Sequence, residues 1–232
     1  NMFNGATAFN QPINTVPAGG NNGGTAWDVS NVTNMRAMFK DATAFNGNIS
    51  AWNTANVTTM EETFTRASVF NQDISGWETI SVTTMTDMFW NADAFNQDIS
   101  TVPAGGNNGG TAWDVSSVSV FSQMFRDADA FNGDITNWNM SGATLTNRMF
   151  QLSPSFNQDI SGWDMSNVAN MYRMFNDATA FNQDISGWNT GSVNEMREVF
   201  FGATAFDQNL GAWDIADVPD MSDMLSDSGL SV

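Results

Sequence analysis

The chain repeats itself every 25 residues, and no other feature constrains its fold as strongly. A tryptophan recurs at Trp27, Trp52, Trp77, Trp113, Trp138, Trp163, Trp188 and Trp213, in steps of 25 with a single step of 36. A phenylalanine followed by Asn or Asp recurs at Phe9, Phe45, Phe70, Phe95, Phe131, Phe156, Phe181 and Phe206, in steps of 25 with two of 36. The surplus of 11 is the same segment both times, T-V-P-A-G-G-N-N-G-G-T at 15–25 and 101–111. Such a period marks an array whose units bury their apolar side only against one another.

With the tryptophan as position 0, the apolar places are fixed. Valine holds position 5 (Val57, Val82, Val168), Met position 8 (Met60, Met85, Met171) and Phe position 12 (Phe64, Phe89, Phe175). Alanine usually holds 15, Phe 18 and Ile 22 (Ile74, Ile99, Ile160). Steps of three and four between 5 and 15 predict a short helix, and Pro219 at position 6 fits its first turn. The run Phe-Asn-Gln-Asp-Ile from 18 to 22 predicts a short strand. The expected fold is therefore an α/β repeat solenoid, with one short parallel strand and one short helix per coil. Eight or nine coils at roughly 4.8 Å each would give a body about 40 Å long. The whole chain, 1–232, reads as a single solenoid and as a piece of something larger. It comprises a partial repeat at 1–14, inserted loops at 15–25 and 101–111, and a weakened terminal coil at 221–232.

Composition supports packing by unusual residues. The 15 Met and 18 Phe fall almost entirely on the repeated apolar positions, where Leu and Ile would be expected. A soft-metal site would need Met beside Cys or His, and the sequence has neither. A net charge of −18 argues against nucleic acid and anionic membranes, which require basic patches. No stretch resembles a membrane span. Enzyme signals are poor: there is no G-x-S-x-G and no phosphate loop. Paired carboxylates, which can hydrolyse glycosides, recur in every coil here, whereas a catalytic site breaks a repeat. The chain is expected not to be an enzyme.

The charges are sorted around the repeat. All seven basic residues, Arg36, Lys40, Arg66, Arg126, Arg148, Arg173 and Arg197, lie between positions 9 and 14. From 18 round to the next 5 there is no Lys or Arg, and this side carries Asn, Gln, Asp, Ser and Thr. Position 21 carries Asp73, Asp98, Asp134, Asp159 and Asp184, and position 1 carries Asp28, Asp114, Asp164 and Asp214. Three readings compete for this face: a solvated surface, a polar platform for a glycan or protein, or a cation site. Carboxylates stacked at roughly 4.8 Å repel one another, and a hard cation with oxygen ligands would relieve them. The Asp residues at position 21 are thus candidate metal ligands, with calcium the candidate cofactor. Trp90, Tyr172 and Phe201 occupy variable positions of the basic side and are candidate partner-binding residues. The Asn at position 19 (Asn46, Asn71, Asn96, Asn132, Asn157, Asn182) is expected to form a ladder bonding the backbone of adjacent coils. The repeated Trp is expected to plug a corner.

The signature M-F-x-x-A-x-x-F-N-Q-D-I-S-x-W-D-x-S-N-V-x-x-M, seen at Met174–Met196, resembles the BspA-like leucine-rich-repeat surface proteins of bacteria. The resemblance covers essentially the whole chain. It implies a leucine-rich-repeat-like solenoid that is secreted or anchored at the cell surface and serves adhesion. The expected function is a non-enzymatic, extracellular or cell-surface module that recognises a protein or glycan partner. The alternative is a structural spacer or filament segment, with end-to-end self-association. The two identical loops, protruding on one edge, would suit bivalent contact with a repetitive partner.

Overall fold

The structure is a computed structural model that describes residues 1–16 and 26–230. Its unit is a coil built from consecutive tight turns. In the coil at Trp27, the Met38 N–H donates to the Met35 carbonyl, Ala42 to Phe39 and Phe45 to Ala42, and the Trp52 N–H then donates to Ile49. The first two are turns with a left-handed third residue, Ala37 at φ 50° and Asp41 at φ 61°, which is the type II arrangement. The same two places, positions 10 and 14, are left-handed in coil after coil: Glu62 and Arg66, Asp87 and Asn91, Gln123 and Asp127, Arg148 and Leu152, Arg173 and Asp177.

This corrects the expected α/β class. Among the described residues there is no helix, and a left-handed residue at positions 10 and 14 is why: it reverses the sense a right-handed helix must keep. The apolar spacing of three and four is real, but a chain of three-residue turns produces it as readily as a helix. The predicted strand at 18–22 is also absent. Parallel pairing is confined to isolated bridges at position 7, running Asn34, Thr59, Thr84, Val120, Leu145, Asn170 and Glu195. A leucine-rich-repeat-like coil with one strand and one helix is therefore not what forms.

What holds the turns in place is the coil above. The N–H groups of Met35, Ala37, Phe39 and Asp41 donate to the carbonyls of Thr59, Glu61, Thr63 and Thr65 at 2.9–3.1 Å. Each left-handed residue so aims an N–H at the next coil, and that bond offsets a conformational cost of roughly 1–2 kcal/mol. Apolar side chains form columns inside. Phe39 stacks on Phe45 within its coil (4.2 Å between centroids) and on Phe64 of the next (5.4 Å). Trp52 stacks on Trp77 at 6.1 Å, and Phe64, Phe70, Trp77, Met85 and Ile99 are fully buried. The Met and Phe thus form one continuous core.

Two side-chain ladders reinforce the stack. Asn46 Oδ1 accepts the Asn71 N–H at 2.9 Å, Asn71 Oδ1 that of Asn96 at 2.9 Å, and Asn132 Oδ1 that of Asn157 at 2.8 Å. The amide oxygens stand in for the backbone carbonyls a strand would have used, which is why positions 18–22 are not a sheet. At the corner, every repeat Trp from Trp52 onward donates its Nε1 to an Ile carbonyl of the preceding coil, as Trp113 does to Ile74 at 2.8 Å.

The second inserted loop lies back over earlier coils instead of protruding freely. Val102 pairs antiparallel with Ala112. Asn107 Nδ2 reaches the carbonyls of Ser50 and Trp52 at 2.6 and 2.8 Å, and Glu78 Oε1 accepts the N–H of Asn108 at 2.7 Å. Residues 17–25 of the first copy fall outside the described residues, so the paired-loop expectation is carried by the second copy alone. At the other end of the stack, Ile215, Met221 and Leu225 are exposed around an apolar recess of about 700 Å³ that also includes Trp213 and Met224.

Candidate functional site

Because equal positions lie above one another, each place in the repeat becomes a column on the surface. Many columns are uniform, being core, Asn ladder or Asp corner. Others vary from coil to coil, position 7 among them, and four of the variable ones lie close together. Position 9 reads Arg36, Glu61, Thr86, Ser122, Asn147, Tyr172, Arg197 and Ser222, and position 10 reads Ala37, Glu62, Asp87, Gln123, Arg148, Arg173, Glu198 and Asp223. Positions 13 and 14 vary as widely, from Lys40 and Asp41 through Trp90 and Asn91 to Phe201 and Gly202. The four columns form one arc of the surface, the part of each coil bent by the left-handed residues.

The charged groups of this arc bind one another between coils. Arg66 makes a two-pronged pair with Asp41 at 2.6 and 2.9 Å, and Arg173 with Glu198 at 2.9 and 2.8 Å. The Arg66 hydrogen bond holds the Asp41 carboxyl below the usual range, and the Arg197 bond does the same for Glu195. Burial, aided by the neighbouring Glu62 carboxylate, pushes Asp87 up to about 6.

Two of the candidate partner-binding aromatics belong to this network. Trp90 is half-buried between the guanidinium groups of Arg66 and Arg126, 5.3 and 5.2 Å from its ring, and its Nε1 donates to Asp127 at 3.2 Å. Tyr172 has Arg148, Arg173 and Arg197 at 5.1, 5.0 and 5.2 Å. Both rings are spacers between cations, so neither offers a bare face for stacking. Phe201 is half-buried, and its carbonyl accepts the Asp177 N–H at 2.7 Å. Sequence reasoning placed these three residues on the basic side but missed the sandwiches. The recurrence of Arg one coil away from each ring was the available signal.

The candidate metal ligands lie elsewhere and turn onto the backbone. Asp73, Asp159 and Asp184 accept the N–H of Ser75, Ser161 and Ser186 at 2.9–3.0 Å, and Asp134 accepts that of Thr136 at 2.9 Å. Asp98 caps the N–H of Asp134 at 2.9 Å. The bonds to Ser161 and Ser186 hold Asp159 and Asp184 below the ordinary carboxylate range. Among the described residues, no group of three or more acidic, His or Cys side chains is placed to hold a metal ion. Four of these aspartates cap their own turns, and Asp98 bonds the next coil.

A single family model accounts for these coils from end to end. It is described as Mycoplasma protein of unknown function, DUF285, and it matches residues 1–105, 106–171 and 143–230. The chain belongs to the DUF285 family. That membership supports the repeat organisation, since the matched regions of this DUF285 chain run along the stack with the last two overlapping at 143–171, and it does not extend to the narrower BspA-like likeness. No curated protein and no solved structure matches it. Among the described residues, no helix is long and apolar enough to cross a membrane.

Proposed function

We propose that the chain is a non-enzymatic recognition module of the extracellular or cell-surface kind, binding a protein or glycan through the arc formed by positions 9, 10, 13 and 14. The observation that supports this is the distribution of variation within the chain. Coils that keep the same core, ladder and corner residues differ in charge, size and aromaticity on this arc, most of all at positions 9, 10 and 13. A scaffold that repeats its core and varies an exposed arc leaves that arc to define specificity, the logic by which solenoids bind along an extended surface. The likeness to BspA-like surface proteins points the same way. A test is to screen the immobilised chain against glycan and surface-protein panels. Hits are expected to weaken when Arg36 and Tyr172 are replaced together, and to survive replacement of Asp73 and Asp159. The opposite pattern sinks the assignment.

A spacer or filament segment is the second reading. The uniform core, Asn ladder and Trp corner favour it, since regular stacking of coils needs no ligand. Light scattering at high concentration decides: filaments support it, and a monomer counts against it.

A further inference from the structure

We infer that Arg148 is a docking point for a single carboxylate of a ligand. This rests on the reading of the variable arc as the recognition face. Of the seven cationic side chains, six have a carboxylate within ion-pair distance: Arg36 with Glu61, Lys40 with Glu62, Arg66 with Asp41, Arg126 with Asp127, Arg173 with Glu198 and Arg197 with Glu195. Among the described residues, Arg148 alone has none.

The register explains why. Arg36, Arg66 and Arg173 each find their partner at the same position one coil away. The corresponding neighbours of Arg148 at position 10 are Gln123 on one side and Arg173 on the other, one neutral and one of like charge. Tyr172 lies 5.1 Å from the Arg148 guanidinium but shares its ring with Arg173 and Arg197. The Nε of Arg148 is buried and has no hydrogen-bond partner, and the same holds for Oε1 of Gln151, three residues on. A buried guanidinium N–H left without an acceptor is costly, and because Nε itself is covered, a ligand would meet this half-buried residue at its terminal nitrogens.

The chemistry selects a carboxylate. The planar fork of an arginine matches two carboxylate oxygens, and the pair is charge-assisted. Only one positive charge is uncompensated, and a chain of net charge −18 repels a polyanion at long range. The group recognised is thus a single carboxylate, the chemistry that a uronic acid and an acidic side chain share, and the titration below tells these sources apart.

Arginine Nε–H resonances of the ¹⁵N-labelled chain, titrated with glucuronate, a blocked glutamate peptide, glucose and sodium chloride, test the site. The Arg148 signal is expected to shift saturably with glucuronate or the peptide and not with glucose, while Arg36 follows salt alone. The stronger of the two carboxylates identifies the source. Arg148→Gln is expected to abolish the response, and Arg148→Lys to weaken it about tenfold or more. Gln123→Glu keeps the arginine but supplies an internal carboxylate in the same column, so it is also expected to block the ligand. Equal shifts with chloride and glucuronate, or undiminished binding by Gln123→Glu, overturn the site. A partner that binds the arc equally well to wild type and Arg148→Gln overturns it while leaving the recognition reading intact.

Discussion

The indole Nε1 of Trp138 donates to the carbonyl of Ile99, one coil earlier, at 2.7 Å. The bond ties a fully buried Ile and a Trp that is 3% exposed across the corner of the stack. Replacing Trp138 by Phe keeps an aromatic ring but leaves that buried carbonyl unpaired. The expected loss is about 1–3 kcal/mol, read as a lower midpoint in urea with an unchanged slope.

The Asn ladder depends on an acceptor, and the amide as such is dispensable. Asn71 Oδ1 accepts both the Asn96 N–H at 2.9 Å and Gln97 Nε2 at 2.7 Å. Asn71→Ala removes the acceptor from both and is expected to cost about 1–3 kcal/mol. Asn71→Asp keeps it and is expected to stay near wild type at neutral pH. Equal destabilisation by the two substitutions would contradict the ladder's role.

Asp87 makes stability depend on pH with an unusual sign. Its carboxyl is raised to about 6 by burial and then by Glu62, with Glu61 adding to the effect and Lys40 and Arg126 opposing it. The folded state therefore holds this proton more tightly than the unfolded chain, so the contribution is fully present at low pH. It is lost as pH rises from about 4 through 6. Asp87→Asn is expected to flatten that slope and to raise stability at pH 7 by about 1–2 kcal/mol, the shift being discounted for partial exposure. Denaturation midpoints at pH 4, 5, 6 and 7 check it.

Glu78 anchors the second inserted loop, accepting the N–H groups of Asn108 and Gly110 at 2.7 and 3.2 Å while only 5% exposed. Glu78→Ala is expected to free the loop, with faster hydrogen exchange at both amides and earlier proteolytic nicking between 101 and 111. Glu78→Gln retains an acceptor and is expected to restore much of the protection.

The Asp column at position 21 is expected to be indifferent to calcium. Each carboxylate already accepts a backbone N–H, as Asp73 does from Ser75 at 2.9 Å. Thermal unfolding of metal-stripped protein with millimolar calcium is expected to match the sodium control. A calcium-specific rise of several degrees would mean that the native stack holds the ion.

The sequence by itself determined the period, the inward columns of Val, Met, Phe and Ile, the Asn ladder at position 19 and the Trp corner. Each is written as one residue type recurring every 25 residues, and stacking requires no more than that regularity. It did not determine the path of the chain between those columns. A spacing of three and four serves a helix and a run of tight turns equally, and the choice was made by the neighbouring coil. The bond from Ala37 N–H to the Glu61 carbonyl exists only if Ala37 is left-handed, and nothing about Ala, Glu, Arg or Leu at these positions announces that conformation. The site was decided in the same way. That Arg173 meets Glu198 while Arg148 meets Arg173 depends on which residues the stack places one coil apart, so it becomes visible only once the coils are in register.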